Sequence, residues 1–311
     1  MRKRQIILDC DPGLDDAVAI LIAVAASDRL ELIGITTVAG NVPAKLTLRN
    51  ARIIRELAGV GRELPICGGA SIPILRDPVT AEDFHGSTGL GNIDFPKPKL
   101  RASRQHAVNF LVKTLRATKG FPATLVVTGP MTNVALAYLM APDLVDGLKE
   151  IVIMGGADTE GGNITPHAEF NVFADPHAAA VVFGMDVPIR VLNLDVTHQI
   201  RASDDDVERV RALGSKEAMA AADLLAASNR LEENEKGRKA PLHDPSTILA
   251  ILRPDLFEGR QARVSVVTEP GERFGKTVPE YREDGNVLWY DKADAEAVFS
   301  EMLGQLGRYP L

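Results

Sequence analysis

Four carboxylates fall within eight residues near the start of the chain, Asp9-Cys10-Asp11-Pro12-Gly13-Leu14-Asp15-Asp16. An apolar run, Ile6-Ile7-Leu8, precedes them and a second apolar run begins at Ala17. That pattern is a buried strand turning into a helix. Alternation along a strand puts Asp9 and Asp11 on one face. Asp15 and Asp16 fall in the first helical turn, where the helix dipole favours anions. The dipole offsets only a small part of the mutual repulsion. Four close carboxylates in a partly buried loop need a cation, or some must protonate. Ligands that are all oxygen suit a hard cation, Ca²⁺ or Mg²⁺. The EF-hand spacing is absent, so such a site would be assembled from distant loops.

The elements that position this cluster follow from the apolar periodicity. Residues 5–10, 30–39, 65–67, 123–128, 150–154 and 188–194 read as short strands. Residues 15–27, 43–58, 103–118 and 131–140 read as helices, and Asp175-Pro176 opens another as N-cap and first helical residue. The alternation predicts an α/β fold: an open, mostly parallel, doubly wound sheet with helices on both faces and right-handed crossovers. Ligands of such sheets bind at the carboxyl ends of the strands. The last third is less regular. Residues 204–236 read as one long polar helix, 261–268 and 286–290 as strands, and 292–306 as a closing helix. No repeat or low-complexity linker divides the chain, so one domain over residues 1–311 is expected.

Composition narrows the partners. The 311 residues are 45% apolar and 25% charged, as in soluble globular domains, and are enough to bury a core without a staple. A net charge of −7 argues against nucleic acid and leaves a small-molecule partner open. Cys10 and Cys67 have neither disulfide-framework nor metal-ligand spacing, so a reducing, cytoplasmic location is expected. No membrane association is expected, because the longest apolar run, residues 17–26, has ten residues against the roughly 20 of a span. The opening Met1-Arg2-Lys3-Arg4 and the apolar residues after it have the outline of a signal peptide, which the Asp cluster interrupts too early.

Further strings extend the pattern. Ile6-Ile7-Leu8-Asp9-Cys10-Asp11-Pro12-Gly13-Leu14-Asp15-Asp16-Ala17 is followed by Thr36-Thr37-Val38-Ala39-Gly40-Asn41 and by His85-Gly86-Ser87-Thr88-Gly89-Leu90-Gly91. Then come Met154-Gly155-Gly156, Gly162-Asn163 and Ala168-Glu169-Phe170-Asn171, and finally Leu242-His243-Asp244-Pro245. In this order they resemble the inosine–uridine preferring nucleoside hydrolases. The resemblance implies an open α/β fold, Ca²⁺ dependence, and hydrolysis of the N-glycosidic bond of ribonucleosides to free base plus ribose. It also implies a homo-oligomer, dimer or tetramer.

That bond breaks through an oxocarbenium-like transition state, so water must be activated on one side while the base is helped to leave on the other. Asp11, Asp15, Asp16 and Asp244 are the expected carboxylate ligands of Ca²⁺, and the resemblance adds the backbone carbonyl of Thr128. Asp11 is the expected general base for a Ca²⁺-bound water. Asn41, Asn163, Glu169 and Asn171 are expected to hold the ribose hydroxyls, with Met154 on the sugar face. Each Asn taken alone reads equally well as a turn residue. His243 is expected to protonate the leaving base, and His85 to face it. His106, His167, His177 and His198 read as structural. Many family members carry Tyr, or Gln and Tyr, on the helix before the His-Asp string. Residues 184–256 hold no Phe, Trp or Tyr, so stacking on the base from that helix is missing and base preference stays open. Residues 235–241, charged and containing Gly237, read as a mobile loop closing over substrate.

Two other readings compete. Asp9-Cys10-Asp11 shares the Asp-x-Asp start of aspartate-nucleophile phosphatases of the haloacid dehalogenase type. Gly13 stands where that pattern has Thr or Val, and no Lys and Asp-Asp motif completes it. A non-catalytic calcium- or nucleoside-binding protein on the same fold is the second, and retention of Asp11 and His243 counts against it.

Overall fold

In the computed structural model, which describes residues 2–311 apart from the side chain of Asp83, nine strands form one sheet. They are β1 (Arg4–Cys10), β2 (Leu30–Thr37), β3 (Ile66–Gly68), β4 (Ala123–Val127), β5 (Leu148–Met154), β6 (Ile189–Leu192), β7 (Phe257–Val266), β8 (Thr277–Tyr281) and β9 (Val287–Ala293). Their order across the sheet is β3-β2-β1-β4-β5-β6-β9-β7-β8. Pairing is parallel from β3 to β9, and β7 runs antiparallel to both β9 and β8. The expected open, mostly parallel α/β sheet is therefore the observed one.

Helices alternate with the strands: α1 (Leu14–Ala25), α2 (Ala44–Leu57), α3 (Glu82–His85), α4 (Ala107–Ala117), α5 (Thr132–Met140) and α6 (Phe170–Ala174). There follow α7 (Pro176–Phe183), α8 (Leu194–Thr197), α9 (Asp204–Arg211), α10 (Lys216–Lys236), α11 (Pro245–Leu252) and α12 (Ala295–Leu306). The two-residue period of the strands divides the core in two. Ile6, Leu8, Val126, Val152 and Leu192 pack against α1, α2 and α9 to α12. Ile7, Leu125, Val127, Ile151 and Val191 pack against α4, α5 and α7. Near-continuous apolar strands are what a sheet buried on both faces requires.

The elements differ from the sequence expectation where local chemistry overrides periodicity. Residues 103–106 are not helical: the His106 ring accepts from the Val108 N–H at 3.3 Å and caps α4. The long helix expected over 204–236 is two helices. Gly214 takes φ +80°, a backbone that suits glycine, and the Ser215 hydroxyl then caps α10 at the Ala218 N–H. The edge strand β8 carries Pro279 and was not expected; proline is tolerated there because an edge strand has an unpaired side. Among the described residues, no helix is long and apolar enough to cross a membrane.

Truncating a residue shared by sheet and helices should weaken the whole sheet. Leu125 is fully buried on β4. Leu125→Ala is expected to lower stability by about 3 kcal/mol, read as a lower urea midpoint in equilibrium unfolding.

Candidate active site

β1 is the switch point of the sheet: β2 lies on one side of it and β4 on the other. Such a point leaves a crevice beyond the carboxyl ends of the strands. The backbone there is tied across the gap, with the Thr128 N–H donating to the Asp9 carbonyl at 2.9 Å. Asp11 to Asp16 leave β1 into this crevice, and Asn41, Thr128 and Met154 lie at or just beyond the ends of β2, β4 and β5.

The carboxylates are held by short bonds. Asp16 accepts from the Gly13 N–H at 3.0 Å, which also caps α1, and from the Thr128 hydroxyl at 2.7 Å. The Asn41 backbone N–H donates to Asp11 Oδ2 at 2.6 Å. The Asn41 side-chain amide donates to the Asp11 carbonyl and to Asp16 Oδ2, each at 3.1 Å. Two glycines seat Asp11. A Cβ on Gly40 would lie 2.0 Å from its Oδ2, and one on Gly129 would lie 2.6 Å from its Oδ1.

Asp244, brought in at the start of α11, completes a trio. Asp15, Asp16 and Asp244 each offer a carboxylate oxygen within 4.8 Å of the others. Asp11 stands next to this trio, outside that radius. Burial, reinforced by the neighbouring carboxylates, pushes Asp11 and Asp244 well above the usual carboxylate range and Asp16 up to about 7. Asp11 Oδ1 and Asp15 Oδ1 are buried with no hydrogen-bond partner. Buried oxygens without partners beside crowded carboxylates are the donor set of a hard divalent cation, and these residues fit one.

Asp9 has a different role. It is fully buried, and its Oδ1 accepts from the Thr36 hydroxyl and from Asn133 Nδ2 at 2.9 Å. Burial pushes it up to about 7. A phosphatase nucleophile must face its substrate, and Asp9 faces β2 and α5.

Every other residue expected at the site lines one cleft of about 260 Å³ above Asp11 and Asp16. Glu169 caps α6: its carboxylate accepts from the N–H groups of Asn171 at 2.8 Å, Gly156 at 3.0 Å and Val172 at 3.1 Å. Burial pushes it up to about 7 against those three bonds. Asn171 Nδ2 donates to the Thr128 carbonyl at 2.9 Å and the Met154 carbonyl at 3.2 Å. Asn163 is exposed, and its Oδ1 accepts from the Phe170 N–H at 2.9 Å. His85 Nδ1 accepts from the Leu14 N–H at 3.3 Å, which leaves its Nε2 as the donor. His243 Nδ1 lies 2.8 Å from the Thr197 hydroxyl. Burial, and then the charges of His198 and Lys236, hold the His243 imidazole well below its usual range.

Sequence reasoning missed part of the lining. Phe84 packs edge-on to His85, with ring centroids 5.0 Å apart, and supplies the aromatic surface that α10 lacks. Ile164, Phe170, Glu232, Glu235 and Lys236 also line the cleft. Adjacency to the His-Gly string was the one signal for Phe84. His198, read as structural, has its ring 5.7 Å from that of His243 and its Nδ1 2.8 Å from Glu160. Of the loop expected over 235–241, residues 235 and 236 belong to α10, and Gly237 takes the left-handed backbone that ends it. Arg238 pairs with Glu232 at 2.9 Å, Lys239 with Asp204 at 2.7 Å, and the Ala240 N–H donates to Asn229 at 3.0 Å.

The family model described as inosine–uridine preferring nucleoside hydrolase matches residues 6–300. A protein of Shewanella woodyi named pyrimidine-specific ribonucleoside hydrolase RihA is 42% identical over 278 residues, 88% of each chain. One of the same name from Enterobacter sp. is 44% identical over 279 residues, 89% of this chain and 88% of its own. Among solved structures, a purine-preferring ribonucleoside hydrolase from Gardnerella vaginalis superposes with a TM-score of 0.91 at 29% identity, over 98% of both chains.

The carboxylates also set a pH dependence. Asp16 binds its proton more tightly folded, at about 7, than unfolded, at about 4. The contribution of Asp16 to metal-free stability is therefore fully present below about pH 4 and is lost as pH rises through about 7. A cation that relieves the repulsion should help most where the carboxylates are ionised. The rise in thermal midpoint on adding Ca²⁺ to chelator-treated protein is expected to be larger at pH 8 than at pH 5. Equal rises would contradict this.

The chain belongs to the inosine–uridine preferring nucleoside hydrolase family and is an enzyme.

Proposed function

From that membership we propose that the chain hydrolyses ribonucleosides to free base and ribose, with Asp11 as general base and His243 as donor to the leaving base. Asp15, Asp16 and Asp244, with Asp11 and the Thr128 carbonyl, would hold one Ca²⁺. The observation that carries this reading is the pair of buried, unpartnered oxygens on Asp11 and Asp15 at a cleft lined by amides, carboxylates and two imidazoles. When bound, Ca²⁺ supplies Lewis-acid polarisation and a template for vicinal hydroxyls.

The protein residues do the rest. Asn41 fixes one oxygen of Asp11 and the two glycines leave room for its carboxylate, so Oδ1 is left to take the proton of the attacking water. Burial raises the proton affinity of Asp11, which favours its taking a proton. Asn171 uses its NH₂ on two carbonyls and keeps its Oδ1 for a ribose hydroxyl. Asn41 likewise spends its NH₂ on the Asp loop. Asn163, exposed at the cleft, and Met154 complete the ribose surface. Glu169, locked by three backbone donors, places fixed negative charge where the sugar becomes cationic.

On the base side, a Thr197 hydroxyl donating to Nδ1 leaves the His243 proton on Nε2. Burial keeps the ring neutral at rest; negative charge growing on the base favours uptake of a solvent proton by the ring, which passes its Nε2 proton to the base and returns to neutral. His85 Nε2 is a second donor to the base. Pyrimidine ribonucleosides are the first substrates to try, supported by the names of the relatives at 42–44% identity. The free, buried Cys10 and Cys67 support a cytoplasmic enzyme, and a homo-oligomer is carried over from the family resemblance.

The test is a reducing-sugar assay on purine and pyrimidine ribonucleosides, with Ca²⁺ and with chelator. Wild-type protein is expected to release ribose only with Ca²⁺, and Asp11→Ala to lose about 10³-fold or more in kcat, the scale of a lost general base. Near-normal turnover in Asp11→Ala would remove Asp11 from its assigned role.

A further inference from the structure

The charged end of α10 is unlike a solvated helix face. Glu232 is only 3% exposed, although it lies in the last turns of a surface helix. Both of its oxygens are committed: Oε1 accepts from Arg238 Nε at 2.9 Å, and Oε2 from Lys236 Nζ at 3.3 Å. A buried carboxylate between two cations is costly unless its geometry is fixed. Here it does two things. It folds Arg238 back past the left-handed Gly237, and it holds the Lys236 ammonium against the same cleft that His85 and His243 line.

The ammonium has three donor hydrogens, and Glu232 is its one hydrogen-bond partner among the described residues. The others are available to a ligand in the cleft. Phe84 and Ile164 add apolar surface to that cleft, and Ile164 is 40% exposed. Apolar surface accepts the faces of a flat ring; a cationic donor accepts an acceptor atom on its edge.

We infer that Lys236, positioned by Glu232, donates to a ring carbonyl oxygen of the departing base and selects oxo-bases over adenine. This rests on the hydrolase reading above and deepens it. When the C1′–N bond breaks, its electron pair stays with the base. In uracil, cytosine and hypoxanthine that charge spreads onto a carbonyl oxygen. A charge-assisted hydrogen bond there strengthens as the bond breaks, so it acts on the transition state more than on the bound substrate. Adenine has no carbonyl and presents an exocyclic NH₂, a donor facing a donor. Glu232, with both oxygens occupied, offers that NH₂ no acceptor. Water delivers hydroxide to C1′ and its proton to Asp11, so Lys236 neither gains nor loses a proton. It is a specificity-determining residue.

The test compares wild type, Lys236→Met and Lys236→Arg on uridine, cytidine, inosine, adenosine and p-nitrophenyl riboside, with saturating Ca²⁺. The nitrophenolate leaves as a stabilised anion and needs no partner on the base side. Lys236→Met is expected to lose at least tenfold in kcat/KM on uridine, cytidine and inosine, mostly in kcat. It should stay within threefold of wild type on adenosine and p-nitrophenyl riboside. Lys236→Arg should recover most of the loss. An equal loss on every substrate, nitrophenyl riboside included, would make Lys236 a structural residue and overturn the inference. So would an unchanged inosine-to-adenosine ratio. Failure of the underlying reading looks different: Asp11→Ala would then retain turnover whatever Lys236 does.

Discussion

Carboxylates crowded into one buried strand end cannot all be ionised together without a counter-charge. The rest of the site follows from that constraint. Asp11, Asp16 and Asp244 are buried, Asp15 borders them, and the helix N-termini that meet them are those of α1 and α11. A helix terminus contributes about half an elementary charge, far short of what three or four carboxylates demand. The fold makes the repulsion worse by drying the cluster, and relieves it with fixed donors from Gly13, Asn41 and Thr128. What remains is a set of oxygens suited to a hard cation.

The sheet makes this geometry reproducible. Parallel strands end together, so residues from β1, β2, β4 and β5 reach one crevice although they are far apart in sequence. Many site residues are also structural. Glu169 caps α6, Asp16 caps α1, and Asn41 ties two loops. Such double use holds the polar groups in place before substrate arrives, which is the form of preorganisation that electrostatic catalysis requires.

Much of this was legible in the sequence because the signals were local. Residues 123–127, apolar apart from Thr124 and wholly buried, form the expected strand, and Asp175-Pro176 caps and opens α7 as read. The Asp cluster announced itself by density alone. What escaped depends on partners distant along the chain. The break at Gly214 in a polar helical stretch left no periodic trace. β8, with Pro279 and a half-exposed face, becomes a strand only because β7 is there to pair with it. Residues 238–240 find their partners earlier in the chain, in Asn229, Asp204 and Glu232. Lys236 lies in a charged stretch, and Phe84 just before the His-Gly string. Neither has a spacing that points to a pocket; only the folded chain brings them beside His85 and His243.

The central claim is that the carboxylate cluster is a cation site, and calorimetric titration of Ca²⁺ into chelator-treated protein at pH 8 tests it most directly. One ion per chain is expected in the wild type, and none detectable in Asp244→Asn if that variant keeps its folded circular-dichroism spectrum. Absence of binding to the wild type, or undiminished binding to the folded variant, would contradict the account.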